Sequence, residues 1–129
     1  MTTRYFAALL LSLLAGCGSR DLATRNEIYQ LAFANARLQD QLQVCDPDAP
    51  STKQHADAWA ANFAAAVGWI DITAQGIAAR EAAARSEPIP VPEGGCPLVR
   101  EELRKSMAEA SRWSTRIAGH ELCGWMSCD

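Results

Sequence analysis

"CDPDAPSTKQH", Cys45 to His55, is the stretch that decides how the rest of the chain folds. Pro47 and Pro50 cannot sit in a helix interior, because the proline ring fixes φ, lacks the amide donor and clashes with the carbonyl four residues back. Asp46 and Asp48 suit a turn, and Ser51 or Thr52 can cap a following helix by accepting from its free N–H groups. The stretch therefore separates two helices, and it opens on a cysteine.

Upstream of it, apolar residues fall at Ile28, Leu31, Leu38 and Leu42, with Asn35 and Cys45 filling the same three-and-four spacing. This pattern predicts a helix over about 21–44 with a heptad seam and an asparagine at one inner position. In a coiled coil such an Asn fixes register and oligomer state at a cost in stability. Asn35 is on that account a candidate partner-binding residue, with Tyr29 and Phe33 beside the seam. The plainer reading has the stripe face the chain's own helices.

Downstream, the alanine-rich segment over about 52–85 reads as a second helix. Its apolar stripe is Trp59, Phe63, Val67, Ile70, Ala74 and Ile77, widened by Trp69 and Ile72, which places it at the centre of the fold. Gly68 and Gly76 each cost about 1 kcal/mol in a helix interior relative to alanine, and either permit close packing or mark a bend. "SEPIPVPEGGCP", Ser86 to Pro97, follows as an extended, proline-stiffened strap ending in a Gly94-Gly95 turn. A third helix over about 97–123 opens on Pro97, harmless in a first turn, and buries Val99, Leu103, Ala110, Trp113 and Ile117. No stretch alternates as a strand would. The fold class is all-α, a small three-helix bundle within residues 21–129.

Ahead of the bundle stands "LLSLLAGCGSR", Leu10 to Arg20. One positive charge at Arg4, then an apolar segment about half the ~20 residues a membrane-spanning helix needs, has the character of an export signal. Its end, Leu14-Ala15-Gly16-Cys17, resembles the lipobox of bacterial lipoproteins. The resemblance implies cleavage after residue 16, acylation of Cys17 and a short lipidated tether over residues 17–20. Two or more acyl chains give stable anchoring, since each buried methylene contributes about 0.8 kcal/mol. Gly18 and Ser19, with no aspartate after the cysteine, resemble the pattern sorted to the outer membrane. That implies a lipid-anchored location facing the periplasm.

Removal of residues 1–16 takes Arg4 and shifts the formal charge from −3 to −4. An acidic chain offers no electrostatic footprint for nucleic acid. Four further cysteines remain, Cys45, Cys96, Cys123 and Cys128, and an even number in an exported small domain reads as two disulfides. Four cysteines allow three connectivities; a local closure of Cys123 with Cys128 around Gly124 would pair Cys45 with Cys96, whereas a simple up-down-up bundle would put Cys45 beside Cys123 or Cys128. The Cys45–Cys96 pairing sits awkwardly in such a bundle, where Cys96 would start at the far end. A strap of about ten residues reaches at most roughly 33 Å and could carry it most of the way back.

No catalytic constellation assembles. His55 and His120 lie at opposite ends of different helices, and Asp57 and Asp71 would stand about 21 Å apart along a helix. No phosphate loop, nucleophile elbow or metal-ligand cluster is present: only the four-residue gap of Cys123 and Cys128 has a zinc-like spacing, and with His120 near but His55 far away no histidine pair completes it, so neither an enzyme nor a metal or cofactor beyond the lipid on Cys17 is expected. Trp125 and Met126, in the cystine-bounded tail, are further candidate partner-binding residues. The expected role is protein binding, as a structural or accessory component of an envelope assembly, with self-association possible. The alternative is a periplasmic immunity or inhibitor protein that neutralises a secreted toxin degrading cell wall or lipid.

Overall fold

In the computed structural model the backbone is described for residues 3–87, 91 and 93–126, and side chains within 24–119 apart from Ile70 and the gaps just named. The described residues are all-helical and contain no strand. Four helices run in the order α1 (Thr3–Cys45), α2 (Pro50–Ala66), α3 (Ala74–Ser86) and α4 (Gly95–Met126), with a 3-10 turn at Trp69–Asp71 between α2 and α3. No helix among them is long and apolar enough to cross a membrane.

α1 has no boundary near Asp21. It is continuous from Thr3, through a segment that contains two glycines but no proline. It ends where expected, ahead of Pro47. α2 then starts at Pro50, which occupies the first helical turn and needs no N–H there, and no side chain caps the helix. Thr52, expected as a cap, turns inward instead and donates from its hydroxyl to the Asp46 carbonyl at 2.7 Å.

The segment expected as one central helix is two. Gly68 takes φ +89°, a left-handed conformation that ends α2, and its N–H donates to the Ile72 carbonyl at 2.8 Å. Thr73 caps α3 by accepting from the Gly76 N–H at 2.9 Å. The chain thus reverses within a few residues. Tyr29 meets Gly76 and Asp40 meets Arg85, so α3 runs parallel to α1, while α2 is antiparallel to it.

This second reversal resolves the difficulty with Cys96. α3 carries the chain back to the C-terminal end of α1, and the Gly94-Gly95 turn, with both glycines at positive φ, starts α4 there. Cys45 and Cys96 are joined, their Cα atoms 5.5 Å apart. Beside them Arg100 holds the Asp46 carboxylate with two hydrogen bonds of 3.0 Å. Hydrogen bonding to Arg100 lowers the Asp46 pKa and raises that of Arg100. The sulfur atoms of Cys123 and Cys128, and the second expected disulfide, lie outside the described residues.

Two apolar clusters fill the interior. The larger gathers Ile28, Ala32, Trp59, Ala66, Ile72, Ile77, Ala110, Trp113 and Ile117. The smaller, toward the disulfide, gathers Leu38, Leu42, Val99 and Leu103, with Val91 of the strap packed on it.

Candidate functional site

Between the two apolar clusters, α1, α2 and α4 meet in a layer of polar side chains. The face that α2 buries is Thr52, His55, Trp59, Asn62 and Ala66, a three-and-four repeat written mostly in polar residues. Opposite it stand Asn35 and Gln39 on α1 and Ser106 on α4. His55 is 1% exposed, and Asn35 and Ser106 are each 8% exposed.

Ser106 is the hub. Its Oγ lies 2.8 Å from His55 Nε2, accepts from Trp59 Nε1–H at 3.0 Å and lies 2.7 Å from Asn35 Oδ1. His55 Nδ1 lies 2.8 Å from Gln39 Oε1, and the Gln39 amide donates in turn to the Thr52 carbonyl at 3.3 Å. One turn along, Asn62 donates to the Ala110 carbonyl at 2.9 Å, again joining α2 to α4. Asn35 Nδ2 is buried with no partner. Burial without a neighbouring carboxylate pushes the His55 pKa down to about 4, so the ring is neutral at pH 7.

A cleft of about 380 Å³ opens beside this layer between α1, α2 and α3. Asn35, Gln39 and His55 line it, Trp59 and Phe63 supply aromatic walls, and Glu81 and Arg85 of α3 add charge. Arg85 is shared between Glu81 and Asp40 at 3.7 and 3.6 Å. Ser106 and Asn35 also line a shallower groove of about 340 Å³ between α1 and α4. Among the described residues no group of three or more His, Cys, Asp or Glu is placed to hold a metal ion.

The residues singled out in the sequence fall as follows. Asn35 lies inside, bonded to α4. Tyr29 packs over Gly76, where its hydroxyl accepts from the Thr73 N–H at 3.4 Å, and Arg80 stacks on its ring. Phe33 is half-buried beneath the Arg37 guanidinium. The side chains of Cys17, His120, Trp125 and Met126 lie outside the described residues. His55, read as a residue of an ordinary first turn, and Ser106, not singled out at all, prove central. The signal that could have found them is spacing: 52, 55, 59, 62 and 66 keep a helical repeat once hydropathy is ignored. Val67 and Ala74, placed on the expected apolar stripe, are exposed.

The fold and this site together define a disulfide-linked helical bundle with a buried polar layer. Family models, curated proteins and solved structures were all searched, and none matches this chain.

Proposed function

We propose that the chain is a lipoprotein anchored in the outer membrane through Cys17, facing the periplasm. It acts by protein binding, as a structural or accessory part of an envelope assembly. The observation that carries this reading is the lipobox-like Leu14-Ala15-Gly16-Cys17 closing a short apolar segment. The Cys45–Cys96 bond supports it, because disulfides persist in oxidising compartments such as the periplasm. Binding is favoured over catalysis because the side chains of Gln39, His55, Trp59 and Ser106 are hydrogen-bonded to one another across three helices. Two large apolar side chains, Val44 and Leu98, stand exposed on either side of the disulfide in sequence and offer a contact surface at that end.

The test is metabolic labelling of cells with an alkyne-bearing fatty acid, comparing the native chain with Cys17→Ser. Label and membrane association should both disappear in the variant; a variant that keeps its label overturns the anchor. Cross-linking of the native chain in living cells then identifies the partner. Envelope machinery, or a second copy of the chain, supports the structural role, whereas capture of a secreted hydrolase replaces it with the inhibitor role.

A further inference from the structure

The hydrogen bonds around Ser106 obey a strict proton count. Trp59 Nε1 is a donor only, so Ser106 Oγ must accept from it. The Gln39 amide nitrogen faces the Thr52 carbonyl, an acceptor only, which turns Gln39 Oε1 toward His55. His55 Nδ1 therefore carries a hydrogen. Ser106 has one proton of its own to give, and two neighbours compete for it: His55 Nε2 and the Asn35 amide.

Only two arrangements satisfy every contact. In the first, the Asn35 amide keeps the orientation it has here, Ser106 donates to its Oδ1, and His55 Nε2 must then donate to Ser106. Both ring nitrogens carry hydrogens and the ring is an imidazolium. In the second, Ser106 donates to a bare His55 Nε2, and the Asn35 amide is turned over so that Nδ2 donates to Ser106. The ring is then neutral. The second arrangement also gives the orphaned Asn35 nitrogen its missing partner and leaves only a carbonyl unpaired, the more tolerable vacancy.

We propose that Asn35, Ser106 and His55 form a two-state proton relay, in which the Asn35 amide turns over and the hydrogen bonds through Ser106 reverse when His55 gains or loses a proton. The neutral arrangement holds at pH 7. In acid a proton from water lands on His55 Nε2, the Ser106 hydrogen swings to Asn35 Oδ1, and the number of bonds at Ser106 is unchanged. The three helices therefore stay joined in both states. What changes is the unbonded end of the Asn35 amide, an acceptor at neutral pH and a donor in acid.

The charged groups around the layer are held at its edges. They are Arg37 and Asp40 on α1, Glu81 and Arg85 on α3, Glu102, Lys105 and Glu109 along the Ser106 groove, and Lys53 and Asp57 on the histidine's own helix. Asp40, Glu81, Glu102, Lys105, Lys53 and Asp57 are in ion pairs, and none is a hydrogen-bond partner of the ring. The direct polar contacts of His55 are neutral groups on α1 and α4, which is what lets the relay turn on one proton alone.

The test is a pH titration by NMR of the full chain in detergent, with nitrogen labels in the histidine ring and in the Asn side-chain amides. At pH 7 His55 should be the Nδ1–H tautomer. On acidification the two Asn35 amide protons should shift with the same midpoint as the ring, while the Trp59 indole signal persists. In Ser106→Ala the ring should still titrate but the Asn35 signals should no longer follow it. An Nε2–H tautomer at pH 7 overturns the relay, as do Asn35 signals that stay flat through the ring's titration, or unfolding before the ring titrates. The native chain alone decides the matter should the variant fail to fold.

Discussion

His55 makes the stability of the protein pH-dependent in a window of its own. Its folded pKa, about 4, lies below the ordinary value of 6.5, so the unfolded chain binds the proton more tightly. Stability is fully present above pH 6.5 and drains away as pH falls toward 4, by about 3 kcal/mol in all at 1.36 kcal/mol per unit. Urea denaturation at pH 7 and at pH 4.5 should show this loss, and His55→Asn should flatten the slope between them. Asp46 acts in a separate window. Its carboxyl is held below 3.8 by the Arg100 hydrogen bonds, so its contribution is intact above pH 4 and lost only in stronger acid. Arg100→Gln should therefore leave the drop above pH 4.5 unchanged. Neither group stands out in the sequence: a histidine and an aspartate flanking two prolines look like turn chemistry, and the burial of His55 and the pairing of Asp46 exist only once α4 lies beside them.

Two glycines set how the helices are joined, and they do so for different reasons. Gly68 supplies a left-handed residue with open space around it, so Gly68→Ala should cost roughly 1–2 kcal/mol from backbone strain alone, read as a lower urea midpoint with unchanged slope. Gly76 has ordinary helical backbone but no room. A Cβ there would stand 2.5 Å from the Tyr29 hydroxyl, so Gly76→Ala should destabilise by about 1–3 kcal/mol despite alanine's better helix propensity. In a Tyr29→Ala background the same substitution should become neutral or stabilising, a sign change that isolates the α1–α3 contact. The sequence leaves both roles open between bend and close packing, and each glycine turns out to take one of them. The helix breaks at the prolines and at Gly94-Gly95 are legible because they follow from covalent geometry. The seam of α1 and the inner stripe of α4 are legible because they are apolar. The buried face of α2 is not, since hydropathy sorts Thr52, His55 and Asn62 to the surface when their partners Asp46, Gln39, Ser106 and Ala110 lie up to dozens of residues away.

At the scale of the molecule, the Cys45–Cys96 bond closes a 51-residue span that contains α2, α3 and the strap. Chain-entropy arguments give such a loop about 4 kcal/mol of stabilisation. The double variant Cys45→Ser, Cys96→Ser should lose stability on that order, and reduction of the native chain should reproduce the loss. Four cysteines allow three connectivities, and the sequence only leans to this pairing, because what brings Cys96 to Cys45 is α3 returning the chain to the end of α1. The unbroken length of α1 has one more consequence. Cys45 stands 28 positions beyond Cys17 on a single helix, a rod of about 42 Å at 1.5 Å per residue. Under the acylation of Cys17 proposed above, that rod would act as a mast, setting the height at which the disulfide end, bearing Val44 and Leu98, stands above the lipid surface.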